Sequence, residues 1–124
     1  MTTEARKKLA VDFLELAGKG HAREMQRVLK PGGVHHNVYF ARGWDALLTA
    51  MEEAAKEAPN TSLDVKHVLS DGDLVAVHSH VVHKSGDPGF AVVHMFRFED
   101  DRIAEMWDVG ISIPPESPNA DGAF

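Results

Sequence analysis

Apolar residues recur at two different periods along this chain, and the change of period divides it into a helical part and an extended part. The helical spacing in the first part predicts three helices. They cover about Thr3–Ala17, with Thr2 or Thr3 as the cap, then His21–Leu29 and Trp44–Lys56. From Ser62 the alternation of apolar and polar residues predicts four strands: Ser62–Leu69, Leu74–His83, Phe90–Phe98 and Arg102–Gly110.

The segments outside these elements contain residues that interrupt regular structure. Pro31-Gly32-Gly33 is expected to break the chain, and Val34–Phe40 is expected to be an extended or loop segment. The tail from Ile111 contains three prolines and is expected to be irregular.

Helices followed by an antiparallel meander indicate an α+β fold. We predict one domain over residues 1–124, with the helices packed on one face of the sheet. The second face is also partly apolar, which predicts a homodimer through that outer face. Its apolar residues are expected to be Val75, Val77, Val81, Val93, Trp107 and Val109.

The side-chain parity of the strands predicts which residues point inward. Four of the five residues at alternate positions from Phe90 to Phe98 are large and apolar, so this face should point to the core, with His94 in its middle. A three-residue loop at Glu99–Asp101 would place Asp108 diagonally across from His94. A five-residue loop at Lys84–Pro88 would place His78 and His80 on the same inner face.

The predicted inner face therefore combines a carboxylate with imidazoles in apolar surroundings. A carboxylate there is desolvated and holds its proton more tightly, and a histidine can share that proton. This arrangement suits a general base. The candidate catalytic residues are Asp108, His94, His78 and His80, and the candidate substrate contacts are His36, Asn37, Tyr39, Trp44, Val92, Phe96 and Met106.

Four histidines are not candidates for the site. His35 is expected to face solvent, whereas its neighbour His36 is expected at the pocket rim with Asn37. His21, His67 and His83 are expected on the surface.

Composition and charge exclude several other classes of protein. The formal charge is −6 with no basic stripe, which argues against nucleic acid as a partner. The absence of cysteine removes disulfides and thiolate chemistry and fits the cytoplasm. No apolar run approaches the length of a membrane span, and the charged N-terminus does not resemble a signal peptide.

Several of these segments together resemble the SnoaL-like proteins of the nuclear transport factor 2-like superfamily. The matching stretches are Leu74–His80, Gly86–Val93, Phe96–Asp100 and Ile103–Val109. His36-Asn37 followed by Ala41 and Gly43 is similar to an upstream motif of that family, and Ser117-Pro118-Asn119 with Phe124 is similar to its tail. The chain departs from the family pattern at His94, where aspartate is more usual, and at Val38, where proline is.

The resemblance implies a cone-shaped, curved antiparallel sheet wrapped by three N-terminal helices and dimeric through its outer face. It implies a polyketide cyclase type of activity, an aldol condensation without cofactor or metal. The family's acid/base aspartate on a late strand corresponds to Asp108.

We therefore predict a cofactor-free acid/base enzyme that acts on a small, mostly apolar carbonyl compound by aldol-type cyclisation, isomerisation or dehydration. Asp108 would abstract the proton and His94 would tune or relay it, while His78 or His80 with His36 would polarise the enolate oxygen. The first alternative is a non-catalytic dimer that binds a small molecule. The second is a metal-dependent hydrolase or lyase that uses His78, His80, His94 and Asp108 as ligands.

Overall fold

A computed structural model describes residues 1–124 as three helices and one five-stranded sheet. The helices are α1 (Thr3–Gly18), a 3-10 helix (Ala22–Val28) and α2 (Trp44–Glu57). The strands are β1 (Leu29–His35), β2 (Ser62–Asp71), β3 (Leu74–Val82), β4 (Phe90–Glu99) and β5 (Arg102–Ser112). The predicted helices and the four predicted strands are confirmed, but the tail is irregular only after Ser112 and not from Ile111, because β5 extends to Ser112.

The helices lie against one face of a curved, unclosed sheet with the strand order β1-β5-β4-β3-β2. The predicted α+β class and the antiparallel meander from β2 to β5 are confirmed. A single cluster of buried side chains joins α1, α2 and the sheet. Its fully buried members include Phe13 of α1, Leu48 of α2 and Phe96 of β4.

Strand β1 was not predicted, because it contains Pro31-Gly32-Gly33. It pairs in parallel with β5 at the edge of the sheet, and its register shifts between Leu29 and Val34. Edge strands tolerate proline and glycine because one side needs no ladder hydrogen bonds. Gly33 is also required sterically, since a Cβ there would lie 2.4 Å from the ring of Trp44.

The β4–β5 hairpin differs from the prediction in its loop length and its register. Asp100 and Asp101, both with positive φ, form a two-residue turn in place of the predicted three-residue loop. A bulge then adds Ala104 to β5, so His94 pairs directly with Asp108 rather than diagonally. The total shift is two residues, so the predicted inward face of β4 is retained.

The predicted parity of β3 is wrong. Val81 pairs with Phe90, so an even number of residues separates the paired positions, whereas the predicted loop required an odd number. A one-residue difference exchanges the two faces of a strand. Val75, Val77 and Ser79 are therefore buried on the inner face, and His78 and His80 lie on the outer face.

A bulge in β2 likewise changes the outward set of side chains. The register shifts between Val65 and His67, so Val68 packs against the core while His67 and Leu69 are exposed. The outer face carries Val93, Trp107 and Val109 as predicted, but Val75, Val77 and Val81 belong to the inner face. Its exposed apolar side chains include Leu69, Val109 and Ile111. No helix has the length and apolar character needed to cross a bilayer.

Candidate active site

A largely apolar cavity of about 350 Å³ lies between the inner face of the sheet and helices α1 and α2. Leu14 of α1 and Leu47 and Met51 of α2 form part of its wall. Val92 of β4 and Met106 of β5 face them from the sheet, as predicted for both residues. The polar lining consists of His35, Asn37, Thr61, His83, His94 and Asp108. A volume of this size suits a drug-sized molecule.

Asp108 lines the cavity, and one of its carboxylate oxygens accepts a hydrogen bond from Asn37. The amide Nδ2 of Asn37 donates to Asp108 Oδ2 at 3.0 Å. The amide orientation is set because Asn37 Oδ1 accepts from the backbone N–H of Tyr39 at 3.0 Å. Asp108 Oδ1 has no protein partner. The residue is exposed, so the predicted burial of this carboxylate among apolar side chains is wrong.

His94 lies directly across the β4–β5 ladder from Asp108 and lines the same cavity. Its Nδ1 is buried without a hydrogen-bond partner, whereas its Nε2 is neither buried nor bound to protein. Burial lowers the pKa of His94 from its usual value, and the nearby charge of Asp108 offsets this only in part. The imidazole is therefore neutral at neutral pH.

His35 and His36 occupy positions opposite to those predicted. His35 is buried at the cavity, where its Nε2 donates to Ala41 O at 2.7 Å and its Nδ1 accepts from Asn37 N at 3.2 Å. Both ring nitrogens are thus used to hold the segment that carries Asn37. Recognition of β1 as a strand would have shown that these adjacent side chains point to opposite faces.

His36 projects from the outer face and does not line the cavity. Its ring stacks on Trp107 with centroids 5.4 Å apart, and its Nε2 lies 2.6 Å from Glu105 Oε2. This contact, together with the neighbouring guanidinium of Arg97, holds the pKa of Glu105 below its usual range. The predicted place of His36 at the pocket rim is wrong.

Three further predicted substrate contacts also lie outside the cavity lining. Tyr39 is 88% exposed, and Phe96 is fully buried with its ring edge against Phe13. Trp44 is a structural residue, since its Nε1 donates to Lys30 O at 2.7 Å. Asn37, Val92 and Met106 are the predicted contacts that the structure brings together with His94 and Asp108.

His78 and His80 face away from the cavity, so the predicted cluster with His94 and Asp108 does not form. His78 Nδ1 contacts His67 Nδ1 at 3.0 Å, and His80 Nε2 donates to Pro88 O at 2.7 Å. No three potential ligands from histidine, aspartate or glutamate are grouped so that they could hold a metal ion. The four-residue metal site of the second alternative is not assembled.

His83 is a cavity-lining residue that the sequence did not single out. It is exposed, as predicted, but it stands at the cavity mouth with its ring against Phe90, at a centroid distance of 5.6 Å. The missed signal is its parity, because it continues the alternate positions of Val75, Val77, Ser79 and Val81. The correct pairing of β3 would have placed it beside the inner face.

Comparison with known proteins gives a family match and several similar structures. The SnoaL-like domain matches residues 10–106. AclR from Streptomyces galilaeus, provisionally named a hydroxylase, is 22% identical with a TM-score of 0.71, over 89% of this chain and 91% of that chain. A SnoaL-like protein of unknown function from Burkholderia thailandensis is 14% identical with a TM-score of 0.72, over 90% and 98%.

A third similar structure comes from Sinorhizobium meliloti and is provisionally named a polyketide cyclase. It is 19% identical with a TM-score of 0.64, over 79% of this chain and 94% of that chain. No curated protein sequence matches. At these identities the solved structures support the fold.

Proposed function

The chain belongs to the SnoaL-like domain family, and from this premise we propose that it is a cofactor-free acid/base enzyme acting on a small, mostly apolar carbonyl compound. The reaction would begin with removal of a proton next to the carbonyl and lead to aldol-type cyclisation, isomerisation or dehydration. The observation that supports this most strongly is the pairing of Asp108 with a neutral His94 at one apolar cavity.

Asp108 has the geometry of a positioned base. Asn37 holds Oδ2, and the backbone of Tyr39 holds Asn37, so the free Oδ1 has a defined direction. Because Oδ2 already accepts the Asn37 hydrogen, Oδ1 is the oxygen left to take the substrate proton. A base of this kind contributes about 10²–10⁴-fold to the rate of proton transfer.

His94 would stabilise the enolate oxygen. A hydrogen on the buried Nδ1 would be an unsatisfied donor, so the ring hydrogen is better placed on the accessible Nε2. A neutral Nε2–H can donate to the oxygen as its negative charge develops, without first losing a proton itself. His94 thereby takes the role predicted for His78, His80 and His36, which lie on the outer face.

The apolar walls would bind the body of the substrate. Leu14, Leu47, Met51 and Val92 form these walls, and they carry no group that would compete for the proton. The predicted homodimer through the outer face and the cytoplasmic location remain predictions. Sedimentation velocity would test the first, and localisation of a tagged chain would test the second.

The experiment follows α-proton exchange of 2-tetralone, a bicyclic ketone with an acidic methylene group, in D₂O by NMR. The wild-type protein should accelerate exchange, and Asp108→Asn should lower the accelerated rate by about 10²–10⁴-fold because the base is lost. His78→Gln, on the outer face, is the matched control and should exchange at the wild-type rate.

Binding measured on the same proteins separates the two main functions. Asp108→Asn should still bind 2-tetralone, since the apolar wall is unchanged. If the wild type binds the ketone but leaves its exchange at the buffer rate, the protein is a binding protein and the proposed enzyme is wrong. Equal exchange by wild type and Asp108→Asn would remove Asp108 from the base role.

A further inference from the structure

His83 is held in one tautomer by its neighbours. The hydroxyl of Thr61 has a single hydrogen, which it donates to Ala58 O at 2.9 Å. Thr61 Oγ1 must therefore accept at its other contact, with His83 Nδ1 at 3.1 Å. The hydrogen of the neutral imidazole is consequently on Nδ1, and Nε2 is left with an unshared lone pair.

This lone pair has no protein partner, although the ring itself is fixed. The hydrogen bond to Thr61 anchors one edge of the ring, and the edge contact with Phe90 limits its rotation. Thr61, His83 and Phe90 all line the cavity. His83 Nε2 is thus an unpartnered hydrogen-bond acceptor at the cavity mouth.

The strand register separates His83 from the proposed reaction centre along the sheet. Phe90, beside His83, is four residues along β4 from His94. Four residues of a strand span about 13 Å. The cavity therefore has a polar group at each end, with mostly apolar walls between them.

We propose that His83 is a specificity-determining residue whose Nε2 accepts a hydrogen bond from a hydroxyl group at the far end of an elongated, mostly apolar carbonyl substrate. The inference rests on the proposed function, because that function places the carbonyl at Asp108 and His94. A bare Nε2 distinguishes a hydroxyl, which can donate, from an ether or a hydrogen atom, which cannot.

The test compares equilibrium binding of 6-hydroxy-2-tetralone with that of 6-methoxy-2-tetralone and 2-tetralone by calorimetry at pH 8. The two analogues have no donor at this position, and their substituents are larger (methoxy) and smaller (hydrogen) than a hydroxyl group. A steric effect would therefore give the two analogues different affinities. The wild type should bind the hydroxyl compound up to about tenfold more tightly than either analogue, since one hydrogen bond contributes a net effect of that size.

Two variants of His83 test the atom responsible. His83→Asn keeps an N–H near Thr61 but has nothing at the Nε2 position, so it should bind all three ketones with the affinity that the wild type has for 2-tetralone. His83→Gln can place an amide oxygen near the Nε2 position and should recover part of the preference. Nitrogen NMR of the wild-type histidine should show the hydrogen of His83 on Nδ1.

The outcomes distinguish this inference from the proposed function. An undiminished hydroxyl preference in His83→Asn would overturn the role of His83. Binding and proton exchange of all three ketones by wild type with no preference would also overturn it, while the proposed function would stand. If the wild type bound no tetralone, both would fail. Asp108→Asn should retain the hydroxyl preference even though its proton exchange is lost.

Discussion

The two faces of the sheet both carry histidines, but the surroundings of those histidines differ. On the inner face, His94 has a buried, unpartnered nitrogen beside a cavity, and the buried His35 has both nitrogens occupied. On the outer face, His36, His67 and His80 bind a carboxylate, another imidazole and a backbone carbonyl. On the inner face His94 is thus available for chemistry, whereas these outer-face histidines are engaged in surface contacts.

The outer pair of His67 and His78 shows why a row of histidines need not be a metal site. The two rings are parallel within 2°, and their centroids are 5.3 Å apart. This distance is close to the Nδ1–Nδ1 separation of 3.0 Å plus the two ring radii, so the rings meet end to end. One hydrogen lies between the two nitrogens, and their lone pairs are not directed at a common ion.

The largest difference between the two faces is expected in the stability that is lost when a side chain is truncated to alanine. Phe96→Ala on the inner face should lower the free energy of unfolding by about 3–5 kcal/mol, because Phe96 is fully buried against Phe13. Val109→Ala on the outer face, where the side chain is 69% exposed, should change it by no more than about 0.5 kcal/mol.

Urea denaturation of the two variants beside wild type gives both numbers. Equal losses of stability would show that the outer face is covered in solution as completely as the inner one. The distinction between the two faces would then not hold in solution, and the predicted homodimer through the outer face would explain why.

A smaller effect is expected from the titration of His94. Its pKa is lowered in the folded protein by burial, so the unfolded chain takes up the proton first as the pH falls. Stability is therefore retained above the ordinary histidine pKa and decreases below it, by no more than about 1.4 kcal/mol per pH unit. The decrease ends once the pH is below the folded pKa as well.

His94→Gln removes this component, so its stability should vary less with pH than that of wild type below about pH 6.5. Denaturation curves at a series of pH values test this. Identical pH dependence in both proteins would mean that His94 is solvated in the folded state, and its role as a neutral donor would lose its basis.

Side-chain alternation and helical spacing predicted most of the fold but not the sheet edge or all of the faces. The inward-facing residues of β4 were predicted correctly from their large apolar side chains. The two-residue error in register did not change them, because a shift of two keeps the same face. The faces of β3 depended on loop parity, which the sequence does not encode locally. The more apolar set, Val75, Val77 and Val81, was nevertheless a usable signal for the core.

The candidate site was predicted in part for related reasons. His94, Asp108 and Asn37 were found from strand parity and motif resemblance. His35 was missed because its position depends on the long-range pairing of β1 with β5, and His83 was missed because its position depends on the loop parity of the β3–β4 hairpin. Their hydrogen bonds to Ala41 and Thr61 are properties of the folded chain.

The most direct test of the inner face as the functional face is an amide NMR titration with 2-tetralone up to its solubility limit. We predict that the shifted amide signals are concentrated at Asn37, His94 and Asp108, and that the signals of His67 and His78 do not move. Shifts confined to the outer-face groove lined by His67, Leu69 and His78, or no shifts at all, would contradict it.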